Sequence, residues 1–275
     1  MHLSCCIWAL TGPEDENLQK MADLGFSWID IQPSMLATAQ RQALAQKLGL
    51  SVSCMGVSFG MPEDAALDSP DADARAAALT HTSSALAHAA SLGASAAYIV
   101  PGPDGSADAL RRYADSVAAA AEIAQKHGLT LGIEHFPGRA LDTAAATLDF
   151  VRGVDHPNFY LLFDSGHIQM RGEDPAAIIR QAGERLGYVH LDDNDGVGDL
   201  HWSLLDGVMT ENSLRGIFTA LDEIGYDGGV SLELSARLPD PFAALRASRE
   251  IVLGNSFPFM LHYIGASMVS QGVFA

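Results

Sequence analysis

Short apolar runs alternate along the chain with longer stretches in which apolar residues recur at helical spacing. The runs are Leu3–Trp8, Ser27–Ile31, Leu50–Val57, Ser95–Val100, Leu129–Glu134, Phe159–Asp164, Leu186–Leu191 and Gly229–Leu234. Between and after them the spacing predicts helices over 14–24, 35–48, 71–92, 106–127, 142–154, 175–185, 211–224 and 240–253. Leu24-Gly25, Leu48-Gly49, Leu92-Gly93 and His127-Gly128 each put a glycine just past a helical stretch, where a left-handed residue ends the helix. Each is followed within a few residues by the next apolar run.

Eight such units with short connections predict a parallel sheet, and sustained right-handed crossovers close it into a single (β/α)8 barrel. A doubly wound sheet would open on a glycine-rich phosphate turn. Here the first turn reads Trp8-Ala9-Leu10-Thr11-Gly12-Pro13, which is not one. The Pro/Asp-rich segment Met61–Asp73 reads as a solvated loop leading into the third helix.

The barrel accounts for residues 1–254, leaving 255–275 as an addition. From Ile251 to Ala275 no residue is charged, a length that would suffice for a membrane span. Gly254, Asn255, Pro258, Gly265 and Gly272 interrupt it, and it carries His262 and Gln271. The expectation is therefore a tail packed on the barrel or on a second subunit, which would make the protein a homo-oligomer, rather than a membrane anchor.

Composition narrows the function. Sixteen basic against 34 acidic residues give a net charge of −18, which disfavours nucleic acid as a partner. With 48% apolar and 18% charged residues, disorder is excluded. Cys5, Cys6 and Cys54 lack metal-finger or redox spacing, and their odd number argues against a disulfide framework. The start, MHLSCCIWAL, has no positive leader region. A cytoplasmic protein is expected.

Barrel chemistry gathers at the C-terminal ends of the strands. Four successive runs end there in metal-ligand residue types: Glu134, Asp164, His190 and Glu233. Three carboxylates converging on one mouth repel one another unless a cation lies between them. Three carboxylates and an imidazole suit one divalent ion, Mn²⁺ first, with Mg²⁺, Co²⁺, Zn²⁺ or Fe²⁺ as alternatives. His167, three residues after Asp164, is expected to project into the mouth from the sixth βα loop, and His201 to lie over the metal. Asp193 to Asp195 read as a solvated Asx-rich turn. His2, His81, His88, His127, His156 and His262 fall away from the mouth and are assigned no chemistry.

Gly-Ile-Glu134-His, Phe-Asp164-Ser-Gly-His167, Val-His190-Leu-Asp-Asp-Asn-Asp-Gly with Asp199-Leu-His201, and Gly225-Tyr226-Asp227-Gly228 leading into Leu-Glu233 together resemble the sugar phosphate isomerase/epimerase family. That family belongs to the xylose-isomerase-like TIM barrels, and the resemblance spans residues 3–254. It implies one divalent metal on Glu134, Asp164, His190 and Glu233. As in related ketose 3-epimerases, it implies that Glu134 and Glu233 are the proton-transfer pair around a metal-stabilised enediolate. His167 would bind a substrate oxygen, with His201 beside it, and Trp8 at the end of the first strand would supply an apolar wall.

The implied substrate is a sugar or related polyhydroxy carbonyl compound. Two departures qualify the resemblance. Ketose 3-epimerases carry an arginine where this chain has Gly196, and endonuclease IV relatives need a histidine where the fourth run ends Val100-Pro101-Gly102. A dehydratase of the inosose or dehydroshikimate type is the nearest alternative activity. A non-catalytic sugar-binding barrel is a further one.

Overall fold

The computed structural model describes residues 1–254. The uncharged tail 255–275, with His262, lies outside the described residues. Eight strands form one parallel sheet: β1 His2–Cys5, β2 Trp28–Ile31, β3 Ser51–Gly56, β4 Ala96–Ile99, β5 Thr130–Glu134, β6 Phe159–Asp164, β7 Leu186–Leu191 and β8 Gly229–Leu232. Their order is β1-β8-β7-β6-β5-β4-β3-β2, so β2 to β8 each pair with their sequence neighbours and β1 returns to β8. At the two ends of that order, β1 and β2 meet through a parallel bridge between Cys6 and Asp30. The chain is thus a (β/α)8 barrel, as the periodicity predicts.

The helices are α1 Glu14–Asp23, α2 Ala39–Lys47, α3 Ala72–Ser91, α4 Ala107–Lys126, α5 Ala144–Val154, α6 Ser165–Arg171, α7 Pro175–Ala182, α8 Glu211–Glu223 and α9 over 241–254. Their starts are chemically marked. Thr38, Ser106, Thr143, Asp174 and Thr210 each accept a hydrogen bond from a backbone N–H in the first turn of the helix they precede. Their ends follow the sequence too: Gly49 and Gly128 take φ of +72° and +74°, which a side chain would resist.

Most buried apolar side chains lie between strands and helices in one continuous core. A second, smaller cluster of Cys54, Ala96, Tyr98, Leu162 and Tyr188 fills the barrel interior. Around it stand fully buried polar residues, among them Ser4, Asp30, Ser53, His190 and Ser231. Polar groups in such a place survive only by bonding one another, as Ser4 and Tyr188 do with Asp30.

Two expectations about loops change. The segment 61–73 is solvated at its two ends but pinned at its centre: Ala65 and Leu67 are buried, Ser116 of α4 bonds the Leu67 carbonyl, and Arg112 bonds that of Asp68. The sixth βα connection contains α6, too short to show a period of its own. No helix among the described residues is long and apolar enough to cross a membrane.

Candidate active site

The four strand-end residues meet. Glu134 closes β5, Asp164 closes β6, His190 lies in β7, and Glu233 follows β8 by one residue. Each offers a ligand atom within 4.8 Å of the others, and all four residues are buried. His190 Nδ1 lies 2.6 Å from Glu233 Oε2 and 3.9 Å from Glu134 Oε1. Despite that closeness, His190 Nδ1, Glu233 Oε2 and Asp164 Oδ2 make no hydrogen bond.

Buried polar atoms are seldom left unpaired, and three converging ones could hold a cation. The donor set of three carboxylates and one imidazole fits a divalent ion of the hard-to-borderline kind. Without such an ion, the acids titrate far apart. Burial, together with Asp192 and Glu134, pushes Asp164 up to about 8. Burial would also raise Glu233, but the charge of the adjoining His190 outweighs it and holds Glu233 at about 2. Burial lowers His190, and Glu233 opposite more than reverses that, so the ring is held well above its ordinary range.

Local structure explains each placement. Asp164 caps α6, its Oδ1 accepting from the His167 N–H at 2.8 Å, which leaves Oδ2 for the cluster. Gly166 lets Asp192 approach: a Cβ there would lie 2.8 Å from the Asp192 Cγ. Its N–H donates to Asp192 Oδ1 at 2.8 Å, and the Ser165 hydroxyl donates to the Asp192 carbonyl at 2.8 Å. The Asp-Ser-Gly-His run therefore works as one unit, serving Asp164 and Asp192 together.

Beside the quartet lies a second polar group. Asp199 Oδ1 stands 3.3 Å from His167 Nε2 and 3.0 Å from His201 Nε2, while His201 Nδ1 lies 3.0 Å from Asp192 Oδ2. Burial works against charge on both rings, but Asp164 and Asp199 bring His167 up to about 10, and Asp192 and Asp199 raise His201 further. Burial opposes charge on Asp199 as well, and the two histidines hold it below the usual carboxylate range.

These residues border a cavity of about 400 Å³ at the mouth, a size suited to a small metabolite. Trp8, Phe59, Phe136 and Val100 form its apolar walls, and Glu134, Glu233, His167, His201 and Asp199 its polar face. Trp8 and Phe59 pack with ring centroids 5.2 Å apart.

Several sequence expectations need correction. Trp8 is not a strand-end residue: β1 stops at Cys5, and Trp8 sits in a 3-10 turn, Ile7–Ala9. It lines the cavity, and its indole N–H also donates to Glu233. His167 projects from α6, not from a loop, with Nδ1 held 2.8 Å from the His135 carbonyl oxygen. Asp193 and Asn194 are fully buried rather than solvated. Asp193 accepts from Asn194, Gly207 and Met209 N–H groups, and the Asn194 amide donates to the Gly166 carbonyl. Of that turn, Asp195 alone is exposed.

Two participants escaped the sequence reading. Buried His135 accepts from the Asp164 N–H at 3.2 Å and packs edge-on to His167. Asp30, in the middle of Trp-Ile-Asp-Ile, is completely buried beside His190. Its signal was available: a carboxylate inside an apolar strand is costly without a purpose.

Residues 18–252 match the xylose isomerase-like TIM barrel family, and the chain belongs to it. Among relatives by sequence, an L-ribulose 3-epimerase of Mesorhizobium japonicum (strain LMG 29417) is 28% identical over 244 residues, covering 82% of this chain and 78% of that protein. An inosose dehydratase of Clostridium beijerinckii is 26% identical over 155 residues, covering 50% of this chain and 52% of its own length. A D-allulose 3-epimerase structure from Methylomonas sp. superposes with a TM-score of 0.79 at 19% identity, covering 93% of this chain and 98% of that one. The zinc-bound IOLI protein does so with a TM-score of 0.75 at 18% identity, covering 94% and 99%. At those identities the structures speak for the fold.

Proposed function

We propose that this protein is a divalent-metal-dependent epimerase or isomerase of a sugar or related polyhydroxy ketone, with Glu134 and Glu233 as its proton-transfer pair. One observation carries the reading: two buried glutamates, from strands separated by β6 and β7, flank the unpaired Nδ1 of His190 at the floor of a small-molecule cavity. Glu134, Asp164, His190 and Glu233 would hold the ion, Mn²⁺ first among the candidates. When bound, such an ion supplies the positive charge that acidifies a C–H beside a carbonyl and stabilises the resulting enediolate.

The protein groups do the rest. Glu233 is ionised at neutral pH and so is able to accept a proton from carbon. Glu134 approaches from another wall of the barrel, where it can return a proton to the other face of the planar enediolate. Removal on one face and return on the other inverts the carbon. His167 and His201, at the cavity wall, offer ring nitrogens to substrate hydroxyls, and Trp8 and Phe59 cover its apolar face. The L-ribulose 3-epimerase relative supports a ketose as the substrate class.

A second reading is a dehydratase that uses the same enolate to expel a β-hydroxyl. The inosose dehydratase relative favours it, as does Gly196 where resembling ketose 3-epimerases carry arginine. The deciding experiment incubates metal-loaded protein with a panel of ketoses and inososes in D₂O and follows it by NMR. Deuterium at the carbon next to the carbonyl without loss of water supports epimerisation; an enone supports dehydration. Neither, over the whole panel, leaves a sugar-binding barrel, in which Glu233→Gln would retain ligand affinity.

A further inference from the structure

One edge of the His190 ring, Nδ1, faces the quartet. The other edge, Nε2, faces inward to a group outside the quartet. Asp30 Oδ2 lies 3.7 Å from His190 Nε2, with both residues wholly buried. Cys6 Sγ is also near Nε2, at 4.0 Å, but burial raises its thiol well above its ordinary range, so it stays neutral.

The two oxygens of Asp30 have different partners. Oδ1 accepts from the Ser4 hydroxyl and from the Tyr188 hydroxyl, each at 2.7 Å. Oδ2 receives only the weak Cys6 S–H at 3.7 Å and otherwise faces the imidazole. The column continues downward, since Tyr188 and Ser53 hydroxyls are 2.6 Å apart and Ser53 is 2.7 Å from His2 Nε2. The carboxylate is therefore fixed from below with one oxygen directed at His190. The ring is also boxed in by Tyr98 and Tyr188, which meet it edge-on at 5.2 and 5.7 Å.

A neutral imidazole has one N–H and one lone pair. His190 can donate a lone pair to a cation among Glu134, Asp164 and Glu233 only from Nδ1, so the proton must reside on Nε2. We infer that Asp30 is the positioning residue for His190: its anchored carboxylate selects the Nε2–H form and holds the ring with Nδ1 toward the ligand cluster. At 3.7 Å the interaction is an electrostatic one rather than a short hydrogen bond. Outer carboxylates that orient ligand histidines in this manner typically contribute about 10- to 100-fold to metal affinity.

This inference rests on the proposed metal site, and the test separates the two. Full-length wild type, Asp30→Asn, Tyr188→Phe and Cys6→Ser are titrated with Zn²⁺ alone against a competing chelator. The zinc-loaded, ¹⁵N-histidine-labelled proteins are then examined by long-range ¹H–¹⁵N NMR for the Nε2–H of His190, and folding is followed by circular dichroism.

Asp30→Asn is expected to fold, to bind zinc about 10- to 100-fold more weakly, and to lose the slowly exchanging Nε2–H resonance. Tyr188→Phe, which frees one side of Asp30, is expected to lose severalfold in the same direction, and Cys6→Ser to match wild type. A folded Asp30→Asn with an unaltered Nε2–H resonance overturns the inference, whatever its affinity. If that variant does not fold, Tyr188→Phe with wild-type affinity does the same. A wild type that binds no zinc would overturn the metal reading and this inference together; a binding wild type with an unaltered Asp30→Asn overturns this inference alone.

Discussion

Trp8 Nε1 donates a 2.9 Å hydrogen bond to Oε1 of Glu233, joining the turn after β1 to the residue after β8. The other oxygen of Glu233 is thereby left toward His190. Trp8 supports the ionised form of this glutamate, after the larger effect of His190. Trp8→Phe keeps an aromatic wall but deletes the donor. A hydrogen bond to a charged group contributes about 1.5–3 kcal/mol, so Glu233 should rise by about one to two pH units. A ¹³C NMR pH titration of the Glu233 side-chain carboxyl in metal-free protein should show this rise. A carboxyl that titrates unchanged would remove Trp8 from the control of Glu233.

Glu134→Gln and Glu233→Gln test the proposed pair. Each keeps the shape of its side chain and abolishes proton transfer at one face. Turnover should fall by about 10²–10⁴-fold in either variant. The double variant should be little worse than the singles, because the two act in one sequence of steps. Product formation measured by chromatography gives the turnover, and circular dichroism verifies the fold.

Loading with a divalent ion should release protons. In its absence Asp164 titrates near 8, and His190 is held protonated by Glu233, whereas ligands must be deprotonated to bind. Near pH 7 the uptake of one ion should release about one to two protons, measurable by calorimetry in buffers of different ionisation enthalpy. Affinity should accordingly climb with pH through about 8. The stability of the metal-free chain should run the other way. A carboxyl raised in the folded state contributes stability that is full below its unfolded value of about 4 and is lost as pH rises to about 8. Thermal melts of metal-free protein across that window should show the decline, and the loaded protein should not.

Gly166→Ala should be costly although the glycine lies at the start of a helix. Its Cβ would press on Asp192, which is fully buried and pairs with His201. Overpacking of this kind costs about 1–3 kcal/mol, readable as a lower denaturant midpoint. Gly172→Ala is the comparison: a Cβ there meets nothing within 4 Å, although its φ of +63° carries its own smaller penalty.

The barrel and its four ligand-type residues were legible in the sequence because each rests on a local pattern. An apolar run ending in Glu134 or Asp164 reports both the strand and the exit of the chain into the mouth. What escaped depended on partners far away in sequence. Asp193 looks like any Asx turn until Gly207 and Met209 are seen to donate to it. Trp8 reads as a wall because nothing local tells that Glu233, 225 residues later, will accept its N–H. The short α6 stayed hidden because its seven residues, Ser165–Arg171, make less than two turns of any periodic signal.

The joint between β1 and β2 gives the barrel a mechanical polarity. Every other neighbouring pair is laced by a run of backbone ladder partners, whereas this one has the single bridge from Cys6 to Asp30, reinforced by Ser4 on the same carboxylate. The rivet lies at the mouth end of the ring, while the lower end of the joint rests on the ring contact of His2 with Trp28. Breathing of the barrel will therefore start as a hinge opening at its closed face, with the rim that carries the candidate site as the fulcrum. Amide exchange should report it as faster exposure low on β2 than at Cys6, so the ring can flex without loosening the buried ligand-type cluster at the mouth.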